Sequence, residues 1–344
     1  MRDVFHAVLL GTAVGDSLGL PAEGLSARKI AKQWRGQWHQ RFAFNKGMIS
    51  DDTEHTVFVA QCLLAQPRDV ASFQRKLAWK LRWWLLCIPA GIGFATLRSI
   101  IKLWLGFPPS RSGVFSAGNG PAMRSALIGA FFREDRERIR EYVQASTRLT
   151  HTDPKAETAA LAIALTAAWA ATNEEPNVSK LRELWLDAGA ADVAWIGLIN
   201  KLVAAHSHDM SVADFAKELG LEKGVSGYCY HTVPVALYAW LRHHGDFRST
   251  LVAVLNCGGD TDTVGAIVGA LAAVRCEIPS EWIEAIRDYP ISICYLRALA
   301  HSLEEIDSGS PGEAPGFPWI ALPLRNAVFL IVVLTHGFRR LLPF

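Results

Sequence analysis

Three short acidic segments of the chain hold residue types that could do chemistry together. GTAVGDSLGLPAEG carries Asp16 and Glu23, SDDT spans Ser50–Thr53, and GGDTDT spans Gly258–Thr263 with Asp260 and Asp262. The last two stand directly before apolar helical stretches. A Ser or Asp there can cap free N–H groups and sit well at the positive end of the helix dipole. Capping accounts for one carboxylate per helix start, not two. If the two starts meet, Asp51, Asp52, Asp260 and Asp262 gather four negative charges that repel by several kcal/mol even at an effective dielectric of ~20. Two divalent cations would cancel that charge. Every donor on offer is a hard oxygen, with Ser50 and Thr263 able to complete the shells, which suits Mg²⁺ or Mn²⁺ rather than zinc. Neighbouring residues on a helix point about 100° apart, so each aspartate pair can serve two ions. Paired ions orient substrate oxygens and polarise a water.

The elements that must position these residues read as helices. KAETAALAIALTAAWAAT (155–172) is apolar almost all round and belongs at the centre of a core. EHTVFVAQCLLA (54–65) and VGAIVGALAAVR (264–275) share that character, and no run of alternating short strands occurs. Gly11, Gly15 and Gly19 are four apart, as are Gly265 and Gly269. Each helical glycine costs roughly 1 kcal/mol against alanine, so another backbone should approach these faces. A long loop is expected at 106–121 and a linker at 308–318. The expected fold is all-α, one compact multi-helix domain over 1–305 with a binuclear metal cleft, followed by a linker and an apolar C-terminal helix over 306–344.

Composition narrows the function. The chain has 344 residues, 50% hydrophobic, with a formal net charge of +2, so nothing global argues for nucleic acid. Six cysteines lie scattered in apolar surroundings without CxxC spacing and read as buried free thiols. The apolar start of MRDVFHAVLLG is too short for a secretory signal. The stretch 82–98 is broken by Pro89, Gly91 and Gly93, and RNAVFLIVVLTHGFRR offers about a dozen uncharged residues where a spanning helix needs roughly 20. No transmembrane segment is expected; the second stretch reads as a helix packed on the core, with self-association or contact at a membrane surface as the alternatives. The default setting is a reducing cytoplasm.

In order along residues 11–273, the segments GTAVGDSLGLPAE, SDDTEHTVFVA, SAGNGPAMRSALIGAF, LTHTDPKAETAALAIA, SGYCYHTVPVALYAW and NCGGDTDTVGAIVGALAA resemble the ADP-ribosylglycohydrolase family. The resemblance implies hydrolysis of a bond at C1″ of ADP-ribose at a binuclear Mg²⁺ or Mn²⁺ centre. Its substrate would be an ADP-ribosylated protein or an ADP-ribose-containing small molecule. It implies Ser50, Asp51, Asp52, Asp260, Asp262 and Thr263 as metal ligands and Asp16 as a brace behind them. Glu23 falls where the family has a carboxylate near the departing group. Glu23 and Asp52 are the two candidates for the general base or leaving-group assistant. Gly118, Asn119, Gly120 and Met123 match the loop that contacts ribose and diphosphate, His151 a histidine beside the distal ribose, and Tyr228 the adenine end. Ser50 stands where threonine is commoner and keeps the hydroxyl.

The residues themselves agree. The glycines of GNGPAM let backbone approach a ligand, and the helix start offers N–H groups to a diphosphate; a plain turn is the alternative. Taken alone, His151 reads as a satisfied polar residue and Tyr228 as core packing. Two other functions compete. A helical phosphohydrolase would use His206 and the His208–Asp209 pair, which otherwise form a polar connector. A non-catalytic module would bind ADP-ribose without turning it over.

Overall fold

The computed structural model describes residues 3–173, 175–310 and 313–341. Pro311 and Gly312 of the expected linker lie outside the described residues. Eighteen α-helices, three short 3-10 helices and one two-stranded sheet make up the regular structure of these described residues, an all-α fold.

The helix Val4–Gly19 forms the centre with the helix Thr261–Ala273, and both are buried almost end to end. The glycines explain why. A Cβ at Gly11 would collide with the carbonyl of Gly269, one at Gly15 with that of Gly265, and one at Gly19 with that of Thr261. The two backbones therefore touch at three points, and any larger side chain would separate them. Thr261 Oγ1 adds a 2.8 Å hydrogen bond to the Gly19 carbonyl. The helix Pro154–Thr172 packs against Thr261–Ala273, with all of its alanines but Ala171 buried. The helix Asp51–Ala65 closes another flank with Val57, Phe58 and Leu63.

Two-residue strands complete the centre. Leu25–Ser26 pairs antiparallel with Gly258–Gly259, with Leu25 opposite Gly259. Gly258 and Gly259 have φ of 73° and 85°, and a Cβ on Gly259 would strike the Val225 backbone. Only glycine adopts this path without strain. The double glycine thus ties the segments after Glu23, before Tyr228 and before Asp260 into one knot.

Among the described residues two helices are long and apolar enough to cross a membrane by length and composition, Val4–Ala22 and Ala321–Phe338. The first is the buried centre. The second belongs to the C-terminal helix Ala321–Leu341, longer than its charge-free stretch because Arg325 lies inside it. Arg325 donates to Asp288 Oδ2 (2.7 Å) and Oδ1 (2.9 Å), to the Ile49 carbonyl (2.5 Å) and to Glu54 Oε1 (3.4 Å). Asn326 donates to the Cys87 carbonyl and Phe329 stacks on Phe42. One face of this helix is thereby packed on the protein and the other is exposed.

Candidate active site

The first turn of the helix Asp51–Ala65 and that of the helix Thr261–Ala273 meet. Ser50 caps the former, its Oγ accepting from the Asp52 N–H at 3.3 Å. Asp260 precedes the latter but its side chain makes no cap hydrogen bond. That carboxylate is held elsewhere: Asn119 Nδ2 donates to its Oδ2 at 2.6 Å and to Thr232 Oγ1 at 3.0 Å. Thr263 Oγ1 donates to Asp52 Oδ2 at 3.2 Å, and Ser50 Oγ donates to the same oxygen at 3.1 Å. Capping therefore explains Ser50 and leaves the aspartates unexplained.

Behind them, Asp16 accepts from the Ser50 N–H (2.9 Å), the Thr53 N–H (3.2 Å) and Thr53 Oγ1 (2.5 Å). It fixes the start of the Asp51 helix onto the central helix. Burial lifts the Asp16 carboxyl to about 6 against the pull of these hydrogen bonds. Burial likewise pushes Asp51, Asp52 and Asp262 well above the usual carboxylate range, and the charges of neighbouring carboxylates, Asp16 among them, add to it. Asp260 is raised by burial, with the Asn119 hydrogen bond opposing. Asp52 Oδ1 and Asp262 Oδ1 are buried without a protein partner. Buried carboxylate oxygens left unpaired carry a large desolvation penalty that a bound cation would relieve. Among the described residues no three of His, Cys, Asp or Glu already form a closed ligand set for one ion. Asp51, Asp260 and Asp262 line a shared cavity, with Asp52 and Asp16 buried behind it.

That cavity has a volume of about 640 Å³, within the usual range for a small-molecule site. Glu23, Asp51, Asp260, Asp262 and Thr263 lie at one end. Gly118, Asn119, Gly120, Met123 and His151 form its wall. Gly118 pairs with Tyr228 and the Asn119 N–H donates to the Gly227 carbonyl at 3.0 Å, so two loops make one surface. A Cβ on Gly118 would come within 2.9 Å of His151 Nε2. The imidazole is thus the support against which the glycine loop lies. It is anchored by Nδ1 at 2.9 Å from Thr150 Oγ1, and burial with the Arg124 charge pushes its pKa down to about 3. A smaller cavity of about 140 Å³ shares Glu23, Asp51, Gly91 and Asp262 and extends the other way, toward Phe42, Phe329 and Val333.

The structure separates some residues that the sequence grouped. Asp52 and Ser50 do not line the larger cavity; Asp52 is only 1% exposed and sits behind Asp51, whereas Glu23 is exposed and lines both cavities. Tyr228 does not line the larger cavity either; its ring packs edge-on to His231, with Lys155 Nζ 5.9 Å from the ring centre. Sequence reasoning missed Gly91, Gly93 and the helix start Phe94–Thr96, and Lys223–Gly227, all on the cavity wall, and missed Thr53 and Arg325. Arg325 did leave a signal, a cation near the start of a largely apolar helix. His206, His208 and Asp209 lie at the end of the helix Val193–Ser207, where Asp209 pairs with Arg242 at 2.9 Å, and none lines the acidic cavity.

The scaffold is all-α, and the starts of the helices Asp51–Ala65 and Thr261–Ala273 bring Asp51, Asp260 and Asp262 to one cleft. The ADP-ribosylglycohydrolase family model matches residues 1–311, and the chain belongs to that family. It is 32% identical over 314 residues to an uncharacterized protein of Archaeoglobus fulgidus, covering 89% of this chain and 97% of that one. It is 28% identical over 298 residues to the ADP-ribosyl-[dinitrogen reductase] glycohydrolase of Rhodospirillum rubrum, covering 83% and 91%. Over 348 residues it is 24% identical to the ADP-ribosylhydrolase ARH3 of Gallus gallus, covering 88% and 93%. A solved ADP-ribosylglycohydrolase-related protein complex superposes with a TM-score of 0.64 at 25% identity, over 88% of this chain and 98% of that one.

Proposed function

We propose that the protein hydrolyses the C1″ linkage between ADP-ribose and an acceptor, with Ser50, Asp51, Asp52, Asp260, Asp262 and Thr263 holding two divalent cations, Mg²⁺ or Mn²⁺. The observation that carries this reading is the pair of buried, partnerless oxygens on Asp52 and Asp262 at the meeting of the two helix starts. When bound, such a pair of ions supplies Lewis acidity and fixes the ribose hydroxyls.

The rest falls to the chain's own groups. The Gly118–Gly120 loop brings backbone close to the ligand, and His151 keeps that loop in place. Lys223 lines the same cavity and offers a positive charge to the diphosphate. Asn119 holds Asp260 in its orientation. Glycosidic cleavage develops positive charge on the ribose, which the surrounding carboxylates stabilise. Glu23 borders both cavities, so it can reach a proton on water or on the departing group. Asp52, behind the wall, is better placed to orient than to transfer protons. ADP-ribose fits the larger cavity and the acceptor group points into the smaller one.

The test is a panel of defined ADP-ribosylated substrates incubated with Mg²⁺, Mn²⁺ or chelator. Release of ADP-ribose should require the metal and should vanish, together with metal binding by calorimetry, in the D260A/D262A variant. ADP-ribose binding with no release from any substrate would establish the binding-module reading instead.

A further inference from the structure

Residues 70–133 contain no Asp or Glu but nine Lys or Arg, and residues 314–344 contain no acid either. These two stretches adjoin in space. Asn326 of the C-terminal helix donates to the Cys87 carbonyl at 2.8 Å, and Lys80 Nζ lies 5.2 Å above the Trp319 ring. Together they expose an unusual amount of apolar surface. At the end of the helix Val70–Leu86 and just past it, Trp79, Trp83, Leu86 and Ile88 are each more than half exposed. On the adjoining side of the C-terminal helix, Leu330, Ile331, Leu334 and Phe338 form a stripe at helical spacing, again exposed.

Cations are interleaved with these rings. Arg82 lies 4.6 Å over Trp79 and Lys102 5.2 Å over Phe107, while Arg75, Lys76 and Arg98 stand in solvent. Tryptophans favour the boundary between lipid and water, and long cationic side chains lay their stems on apolar surface while the charge reaches out.

We propose that this face docks on an anionic membrane surface, the C-terminal helix lying along the bilayer rather than crossing it. Three observations choose this occupant. The opposite side of the helix holds Arg325 buried against Glu54 and Asp288, which a spanning helix would have to release. A second copy of the chain related by two-fold symmetry would set one acid-free, cationic face against another, and like charges repel. Anionic lipid headgroups complement the face, since basic groups at such a surface each add attraction while apolar side chains insert. The loop between the exposed Ile88 and Phe94 also lines the cleft through Gly91 and Gly93, so docking sets the cleft mouth beside the lipid.

The experiment is vesicle flotation of the full chain at low salt. Phosphatidylcholine vesicles carrying phosphatidylserine should lift the protein, with binding about tenfold or more above that to pure phosphatidylcholine and weakened by added salt. L86E/I331E should abolish flotation while keeping the unfolding midpoint of the parent. K76E/R98E, both at exposed sites, should weaken binding roughly tenfold or more. Failure of the parent chain to float with anionic vesicles overturns the proposal, as does unchanged binding by K76E/R98E. Concentration-dependent dimerisation that Ile331→Glu removes, without vesicle binding, assigns the face to a second copy and overturns it too.

Discussion

Thr263 Oγ1 donates to Asp52 Oδ2 at 3.2 Å, joining residues 211 positions apart in the chain. Asp52 also accepts from Ser50 Oγ. A hydroxyl from each of the two acidic motifs therefore bonds the same carboxylate. Removing the Thr263 hydroxyl with Thr263→Val should cost about 1.5–3 kcal/mol of stability, because the hydrogen bond lost is to a carboxylate. Metal affinity and turnover should fall together. Calorimetric titration with Mn²⁺ beside a turnover assay checks this; loss of turnover with unchanged affinity would contradict the ligand role.

Asp16 should be the most stability-critical acid of the site. Asp16→Ala strands the Ser50 N–H, the Thr53 N–H and the Thr53 hydroxyl in a buried space. Each stranded donor costs about 1–3 kcal/mol. Urea unfolding should show a loss of several kcal/mol, with Thr53→Val costing distinctly less.

Close backbone approach makes Gly15→Ala severe. The added methyl meets the Gly265 carbonyl and the Ala266 nitrogen, neither of which can turn aside. The change should cost at least the ~1–3 kcal/mol of ordinary overpacking and displace Asp16 from Thr53. Gly36→Ala tests space separately, since nothing lies near a Cβ there and only its φ of 76° resists. A thermal melt of both variants should rank Gly15→Ala as clearly worse.

His151 should stay neutral through the working pH range. Its pKa lies near 3 in the folded protein because burial and the nearby Arg124 charge disfavour the imidazolium, against 6.5 for an unburied histidine. The sign follows from linkage: between about 6.5 and 3 the unfolded chain binds the proton and the folded one does not, so this group withdraws stability as pH falls through that window. Imidazole NMR should show no His151 titration between pH 5 and 8, and His151→Gln should lessen the acid destabilisation.

Arg325 ties the C-terminal helix to the base of the site. Arg325→Met leaves Glu54 and Asp288 buried without their cation, a loss expected to cost about 3–5 kcal/mol. Reversing part of it with Asp288→Asn in a double-variant cycle would show that the penalty comes from the stranded charge. Additive losses would show instead that packing of the helix is the cause.

The sequence alone determined the helical class, because long alanine- and leucine-rich runs have no strand alternative. It also determined the acidic motifs and the close glycine faces, since those depend on residue type and local spacing. It could not say which carboxylates face a ligand. Asp51 and Asp52 are adjacent, yet one lines the cleft and the other lies behind it. Only the tertiary structure decided that, because the answer depends on where the Thr263 and Asn119 side chains arrive from distant parts of the chain. The same holds for Arg325, whose partners Glu54 and Asp288 stand far from it in sequence and close only when the helices pack.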